Sequence, residues 1–286
     1  MMLIADSGST KTDWVLVDGA RKVREVPTQG FNPNYHSEET ITRALTQDLV
    51  PHVPAQAITE IWYYGSGCWD PERKEVIARP LRRLFPNATV HIEHDLLGAA
   101  RATCGHEPGI ACILGTGSNS CLYDGTREVD NVTNLGFLLG DEGSGSHLGK
   151  ELLRCWYYRE LPPHLAEELE AMVPGGRKEV LDQIYRVEAP AVYLASFARF
   201  LGMRQQDPFV RTLVIRCFDE FLVRHVCKYE GHDHLPVHFV GSVAWHFREL
   251  LQAALGAKGL KLGVIDRKPI ERLVHFHQQI QSPSGM

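Results

Sequence analysis

Leu3-Ile4-Ala5-Asp6-Ser7-Gly8-Ser9-Thr10-Lys11-Thr12-Asp13-Trp14-Val15-Leu16-Val17-Asp18 reads as a strand, a tight polar turn and a returning strand. Gly19 marks the next turn and residues 22–26 fit a third strand, so the chain opens as a run of antiparallel hairpins. Inside the first turn each residue type has a chemistry. Gly8 lets the backbone approach a phosphate without a Cβ in the way. Successive backbone N–H groups in such a turn make an anion-binding concavity. Thr10 and Thr12 add hydroxyl donors, Lys11 adds a positive charge, and Ser7 and Ser9 complete the candidate phosphate loop. Asp6, at the strand end, suits Mg²⁺, a hard ion that prefers oxygen, either directly or through water. An ordinary polar hairpin carries the same residue types, so this turn does not settle the function by itself.

A second copy of the pattern follows about one domain later. Residues 110–114 are a short apolar strand, Gly115-Thr116-Gly117-Ser118-Asn119 is its turn, and residues 120–123 return. Two such turns suggest duplicated halves that share a phosphorylated ligand. Neither has the strand-before, helix-after setting that a P-loop or dinucleotide fingerprint requires. A third element, Phe239-Val240-Gly241-Ser242-Val243, turns a strand into a helix whose N-terminus favours an anion. A plain strand–helix connection with Ser242 as N-cap gives the same pattern.

The remaining elements alternate. Residues 36–49 read as a helix with Ser37 as N-cap, 58–65 as a strand ending in Gly65-Ser66-Gly67, 71–84 as a helix and 89–93 as a strand. Asp95 follows that strand and precedes a small-residue helix over 96–103. Helices are expected over 145–159, 208–228, 241–257 and 270–281, and two or three more between 162 and 203, broken at Pro174-Gly175-Gly176 and Pro190. Strands fit 236–240 and 260–265, and the tail 282–285 reads as loose. The fold class is therefore α/β.

The chain has 286 residues, 44% of them apolar and 23% charged, with a formal net charge of −5. Such mild acidity attracts neither nucleic acid nor an anionic membrane surface. No run approaches the ~18 apolar residues a membrane span needs, and the first residues do not form a signal peptide. The seven cysteines lack any C-x-x-C pairing and read as reduced, buried thiols of a cytoplasmic protein. His232, His234 and His238 mix loop and strand and read as a solvated loop rather than a shared metal face. His275 and His277 read as surface residues of the last helix.

With these motifs in order, the chain resembles the ATPase superfamily of sugar kinases, Hsp70 and actin. Within it, the chain is similar to the N-acetylglucosamine kinases and the related BadF/BadG-type ATPases. The carriers are Asp6 to Thr12, Asp95, Leu114 to Asn119, Gly140-Asp141-Glu142-Gly143-Ser144 and Val240-Gly241-Ser242-Val243. The resemblance implies two RNase H-like domains, 1–105 with 270–286 and 106–269, holding ATP and Mg²⁺ in an interdomain cleft. It also implies that the last helix returns to the N-terminal domain.

For the acceptor, the resemblance implies that Asp95 contacts the sugar and serves as general base, and that Asn32, Gly136 and Asp141 bind sugar. On chemistry alone Asp95 is equally a helix N-cap, Asp141 or Ser144 a loop cap, and Asn32 a turn residue. One departure stands out: Asn134-Leu135 precede Gly136 where the mammalian-type enzymes carry a tryptophan and a glycine. The expected activity is phosphorylation of an amino sugar, N-acetylglucosamine to its 6-phosphate, by an enzyme with a small-molecule partner and an open oligomeric state in which a homodimer fits. An ATPase that activates a dehydratase or reductase through an iron–sulfur cluster, with Cys104, Cys112 and Cys121 in the relevant half, and a non-catalytic ATP-binding sensor are the alternatives.

Overall fold

The computed structural model describes residues 1–8 and 10–281; Ser9, assigned above to the first turn, and the tail 282–286 lie outside the described residues. The chain divides into two compact units. The first comprises Met1–Glu107, Gly125–Arg127 and the segment from Lys268 onward; the second comprises Pro108–Asp124 and Glu128–Arg267.

The first unit is built on β1 (Met2–Ser7), β2 (Lys11–Asp18), β3 (Arg21–Gln29), β4 (Glu60–Gly65) and β5 (Thr89–His94), in the order β3-β2-β1-β4-β5. The hairpins β1–β2 and β2–β3 are antiparallel, whereas β1, β4 and β5 run parallel. The central strand shows why both faces need cover. Leu3 and Ala5 join Trp14 and Leu16 in one core, while Met2 and Ile4 join Val15, Val17 and Tyr64 in another. On the first face lie α1 (Glu38–Asp48) and α2 (Pro71–Leu84). The other face is covered by α3 (Asp95–Cys104) and α13 (Ile270–Gln281), the latter through Ile270, Leu273 and Val274. Ser37 caps α1 as its sequence suggests, accepting from the Thr40 N–H at 3.3 Å.

The second unit repeats this plan. Its strands are β6 (Gly109–Leu114), β7 (Ser118–Tyr123), β8 (Glu128–Asp130), β9 (Pro236–Val240) and β10 (Lys261–Asp266), ordered β10-β9-β6-β7-β8. Read from β8, that is the order of the first sheet, with the same switch from antiparallel to parallel at the central strand. The duplication expected from the two turns is thus carried by the whole sheet. Around it stand α4 (Gly136–Leu139), α5 (Gly145–Tyr157), α6 (Pro163–Met172), α7 (Gly176–Tyr185), α8 (Pro190–Ser196), α9 (Ala198–Gly202), α10 (Pro208–Arg224), α11 (Ser242–His246) and α12 (Arg248–Ala257). Ile110, Cys112 and Leu114 pack with Leu148, Leu152, Phe218, Phe221 and Phe239 in one continuous core.

Several local expectations change. The stretch 162–203 holds four helices rather than two or three, and the helix expected over 241–257 is two, broken at Phe247. The strand β8 and the single turn α4 were not expected; both are too short to show a period. His238 lies in β9, buried, with its Nδ1 accepting from the Val264 N–H at 3.0 Å, so it is not part of a solvated loop. His277 is buried as well: its Nε2 meets the Tyr64 hydroxyl at 2.9 Å, because this turn of α13 faces the sheet. Cys104, Cys112 and Cys121 are buried, as expected.

Candidate functional site

In the first unit, β1, β4 and β5 end on one level, since Ser7 pairs with Gly65 and Gly65 with His94. The carboxyl edge of parallel strands beside a switch in strand order is where α/β sheets bind ligands. Three segments leave the sheet there: the Gly8 turn, the Gly65–Asp70 loop and the start of α3. The turn is closed by Gly8 N–H donating to the Lys11 carbonyl at 3.0 Å. Asp6 is half-buried and stands opposite Asp13 in the β1–β2 register. Lys11 forms an ion pair with Asp13 at 2.5 Å, and Thr10 is exposed.

The expected Thr12 hydroxyl points elsewhere, together with that of Ser7. Ser7 and Thr12 are fully buried and bonded to each other at 2.7 Å. Thr12 also donates to the Gln29 carbonyl at 3.1 Å, and Ser7 Oγ accepts from the Phe31 N–H at 3.3 Å. Their side chains brace the hairpin against β3 and the segment after it.

Asp95 is the first residue of α3, not its cap. His94 does the capping, its Nδ1 accepting from the Leu97 N–H at 3.2 Å. The Asp95 carboxylate instead accepts from the first N–H groups of the helix, its own and that of Leu96, beside the strand ends. Burial pushes its carboxyl up from 3.8 to about 6, against the opposing pull of the Leu96 N–H and its own N–H. The helix is held close by Gly98, where a Cβ would stand 2.9 Å from Tyr64. Next to Asp95 is the phenol of Tyr63, pushed well above its ordinary value by burial, with the Asp6 and Asp95 carboxylates and the Cys68 thiol adding to it. Asn32 is buried, accepts from the Asn34 N–H at 2.9 Å, and lies against Gly67. Asp6, Asn32 and Asp95 thus converge on one edge, although the chain separates them widely.

The second unit gathers the other candidates. The Gly115 and Thr116 carbonyls accept from the Gly145 and Ser146 N–H groups at 2.8 and 3.0 Å, so the start of α5 braces the second turn. Ser118 N–H donates to Asp141 Oδ1 at 3.0 Å, and a Cβ on Gly117 would meet that oxygen at 2.9 Å. Asp141 is buried and holds a positive φ of 58°, a conformation uncommon outside glycine. Burial raises its carboxyl above the ordinary value, while the hydrogen bonds to Ser118 and Asn134 oppose the rise. Asn119 accepts from the Asn131 amide at 3.2 Å. Gly241, at φ 113°, lies against the Leu114 carbonyl, where a Cβ would stand at 2.4 Å. It is Gly241, not Ser242, that occupies the N-cap of α11. Gly136 is exposed at the start of α4.

Asn134 stands out in the sequence only as a departure from the mammalian-type pattern, with no role attached. Its amide donates to the Ser118 carbonyl and to Ser118 Oγ, and its Oδ1 accepts from the Gly136 N–H at 2.5 Å. One side chain therefore ties the second turn to α4. The departure from the mammalian-type pattern at this position was the available signal.

The chain is thus two copies of one five-stranded α/β unit, each with a glycine-bearing hairpin turn after its central strand. No family model matches the chain. It is 38% identical to a proposed N-acetylglucosamine kinase from Porphyromonas gingivalis, over 99% of this chain and 100% of that one, with a TM-score of 0.94. A second proposed N-acetylglucosamine kinase, from Chromobacterium violaceum, is 18% identical and shares the fold at a TM-score of 0.74, over 96% of this chain and 98% of that one. A ROK family glucokinase from Streptomyces griseus, solved with glucose and AMPPNP, is 13% identical with a TM-score of 0.53, over 99% and 100%. The chain belongs to the N-acetylglucosamine kinase family.

Proposed function

We propose that the protein transfers the γ-phosphoryl group of ATP to the 6-hydroxyl of an amino sugar, with N-acetylglucosamine as the leading acceptor and Asp95 as general base. The observation that carries this reading is the placement of Asp95: first residue of a helix, at the carboxyl edge of β5, half-buried and shifted to about 6. A base of that strength is ionised at neutral pH yet still basic enough to accept a proton. Asp95 takes the hydroxyl proton as the sugar oxygen bonds to the γ-phosphorus, and the bond to the β-phosphate oxygen breaks to leave ADP. The Gly8 and Gly115–Asn119 turns present backbone N–H groups to the phosphates, with Gly241–Ser242 beside the second turn. Asn32, Gly136 and Asp141 serve the sugar hydroxyls.

The residues present fit Mg²⁺. Asp6 offers a half-buried carboxylate, an oxygen donor suited to a hard ion that keeps most of its waters, while Asp13 opposite it is ion-paired with Lys11. When bound, the ion would neutralise charge on the transferring phosphate. ADP release should be measured with N-acetylglucosamine, N-acetylmuramic acid, glucosamine, N-acetylmannosamine and glucose. Sugar-stimulated turnover, greatest with an N-acetylated acceptor, is expected; turnover with none of them refutes the kinase assignment.

A further inference from the structure

Trp69 is exposed at 44%, an unusual place for the largest side chain in a loop that is otherwise tied down. The loop joins β4 to α2. At its near end, Gly67 has φ 82° and presses on Asn32, where a Cβ would stand 2.6 Å from Oδ1. Cys68 is fully buried, its N–H donating to the Gly65 carbonyl at 3.4 Å. At its far end, Asp70 caps α2 by accepting from the Arg73 N–H at 2.9 Å. Trp69 is held between these anchors, and its indole stacks on the His94 imidazole, centroids 4.4 Å apart and planes 19° from parallel. With one face on His94, the exposure falls on the opposite face and the ring edge.

His94 is the residue before Asp95 and the cap of its helix. Burial and nearby Lys74 hold this imidazole at about 4, so it is neutral at physiological pH and stacks without a charge to solvate. The loop therefore places an open aromatic face at the carboxyl edge of the sheet, next to His94 and so one residue from Asp95, with Asn32 against Gly67 in the same loop. Such a face does nothing for the core. A pyranose offers the complementary surface: C–H groups on one face, hydroxyls around the rim. Binding sites of this kind pair an apolar wall with a few polar groups.

We infer that Trp69 is a specificity-determining residue of the acceptor site, packing against the C–H face of a pyranose whose hydroxyls are taken by Asn32 and Asp95. The inference rests on the kinase reading and extends it, since Trp69 would select for a ring with an unbroken apolar face. Steady-state kinetics of the full-length protein, with sugar and ATP varied separately, tests it through Trp69→Ala and Trp69→Phe. Trp69→Ala should raise KM for the sugar by about tenfold while KM for ATP stays put, and Trp69→Phe should recover most of the loss. Fluorescence titration with N-acetylglucosamine alone should show a sugar-dependent change in the wild type that Trp69→Phe abolishes. An unchanged sugar KM in a folded Trp69→Ala protein overturns the inference while leaving the kinase reading intact. A loss confined to kcat also overturns it, because that is what mere bracing of His94 would produce. Failure of the wild type to phosphorylate any sugar removes the inference together with the reading beneath it.

Discussion

Asp95→Asn separates what the carboxylate costs the fold from what it does in the reaction. The folded-state value of about 6 lies above the ordinary 3.8, with burial the main cause. Between those two pH values the folded chain keeps a proton that the unfolded chain has released. Unfolding free energy therefore falls as pH rises through the window, and the penalty is complete above it. At about 1.4 kcal/mol per pH unit, the gap of about two units corresponds to an upper limit of about 3 kcal/mol. The carboxamide is nearly the same shape, can still accept from Leu96 N–H, and never ionises. Asp95→Asn should therefore melt several degrees above the wild type at pH 7.5 and level with it at pH 4. Turnover should fall by about 10²–10⁴-fold in the same variant, the usual cost of losing a general base, with KM for ATP unchanged. Wild-type kcat/KM should rise with pH through about 6. Differential scanning fluorimetry at the two pH values, beside initial rates, reads all of this. A variant less stable than wild type at pH 7.5, or a stability gap of equal size at both pH values, would refute the burial argument. Loss of nucleotide affinity in step with turnover would refute the catalytic one.

Three further substitutions or treatments follow from contacts. Gly117→Ala places a Cβ 2.9 Å from Asp141 Oδ1, so it should raise KM for both ATP and sugar, as initial rates with each substrate varied will show. Gly149→Ala drives a Cβ to 1.9 Å from the Leu194 carbonyl at the α5–α8 contact; backbone must move, and Tm should drop by more than the ~1–3 kcal/mol of ordinary overpacking implies. Burial pushes the Cys68 and Cys217 thiols up to about 12, so the native protein should react slowly with a thiol reagent at pH 8 and yield its full seven equivalents only when denatured.

The sequence by itself determined the duplicated α/β plan. Alternating apolar residues flank the Gly8 and Gly115–Asn119 turns, and local periodicity and turn chemistry are enough to place such strands. The helices over 71–84 and 270–281 and the strand over 236–240 were legible for the same reason. Local signals could not say which hydroxyls face a ligand. Thr12 reads as a donor in the turn, yet the β2–β3 pairing turns it onto Gln29. They could not choose between Asp95 as cap and Asp95 as the first helical residue, because His94 fits the capping position as well and only the folded chain decides between them. His277 sits on a mostly polar helix and is buried because that turn of α13 packs on Trp62 and Tyr64 of β4. Tertiary structure alone brought Asn32 to Gly67 and Asp141 to Ser118, residues far apart in the chain, because sheet register, a non-local property, sets which strand ends lie level. The same register sets His94, on which Trp69 stacks, at the strand end next to Asp95, the proposed base.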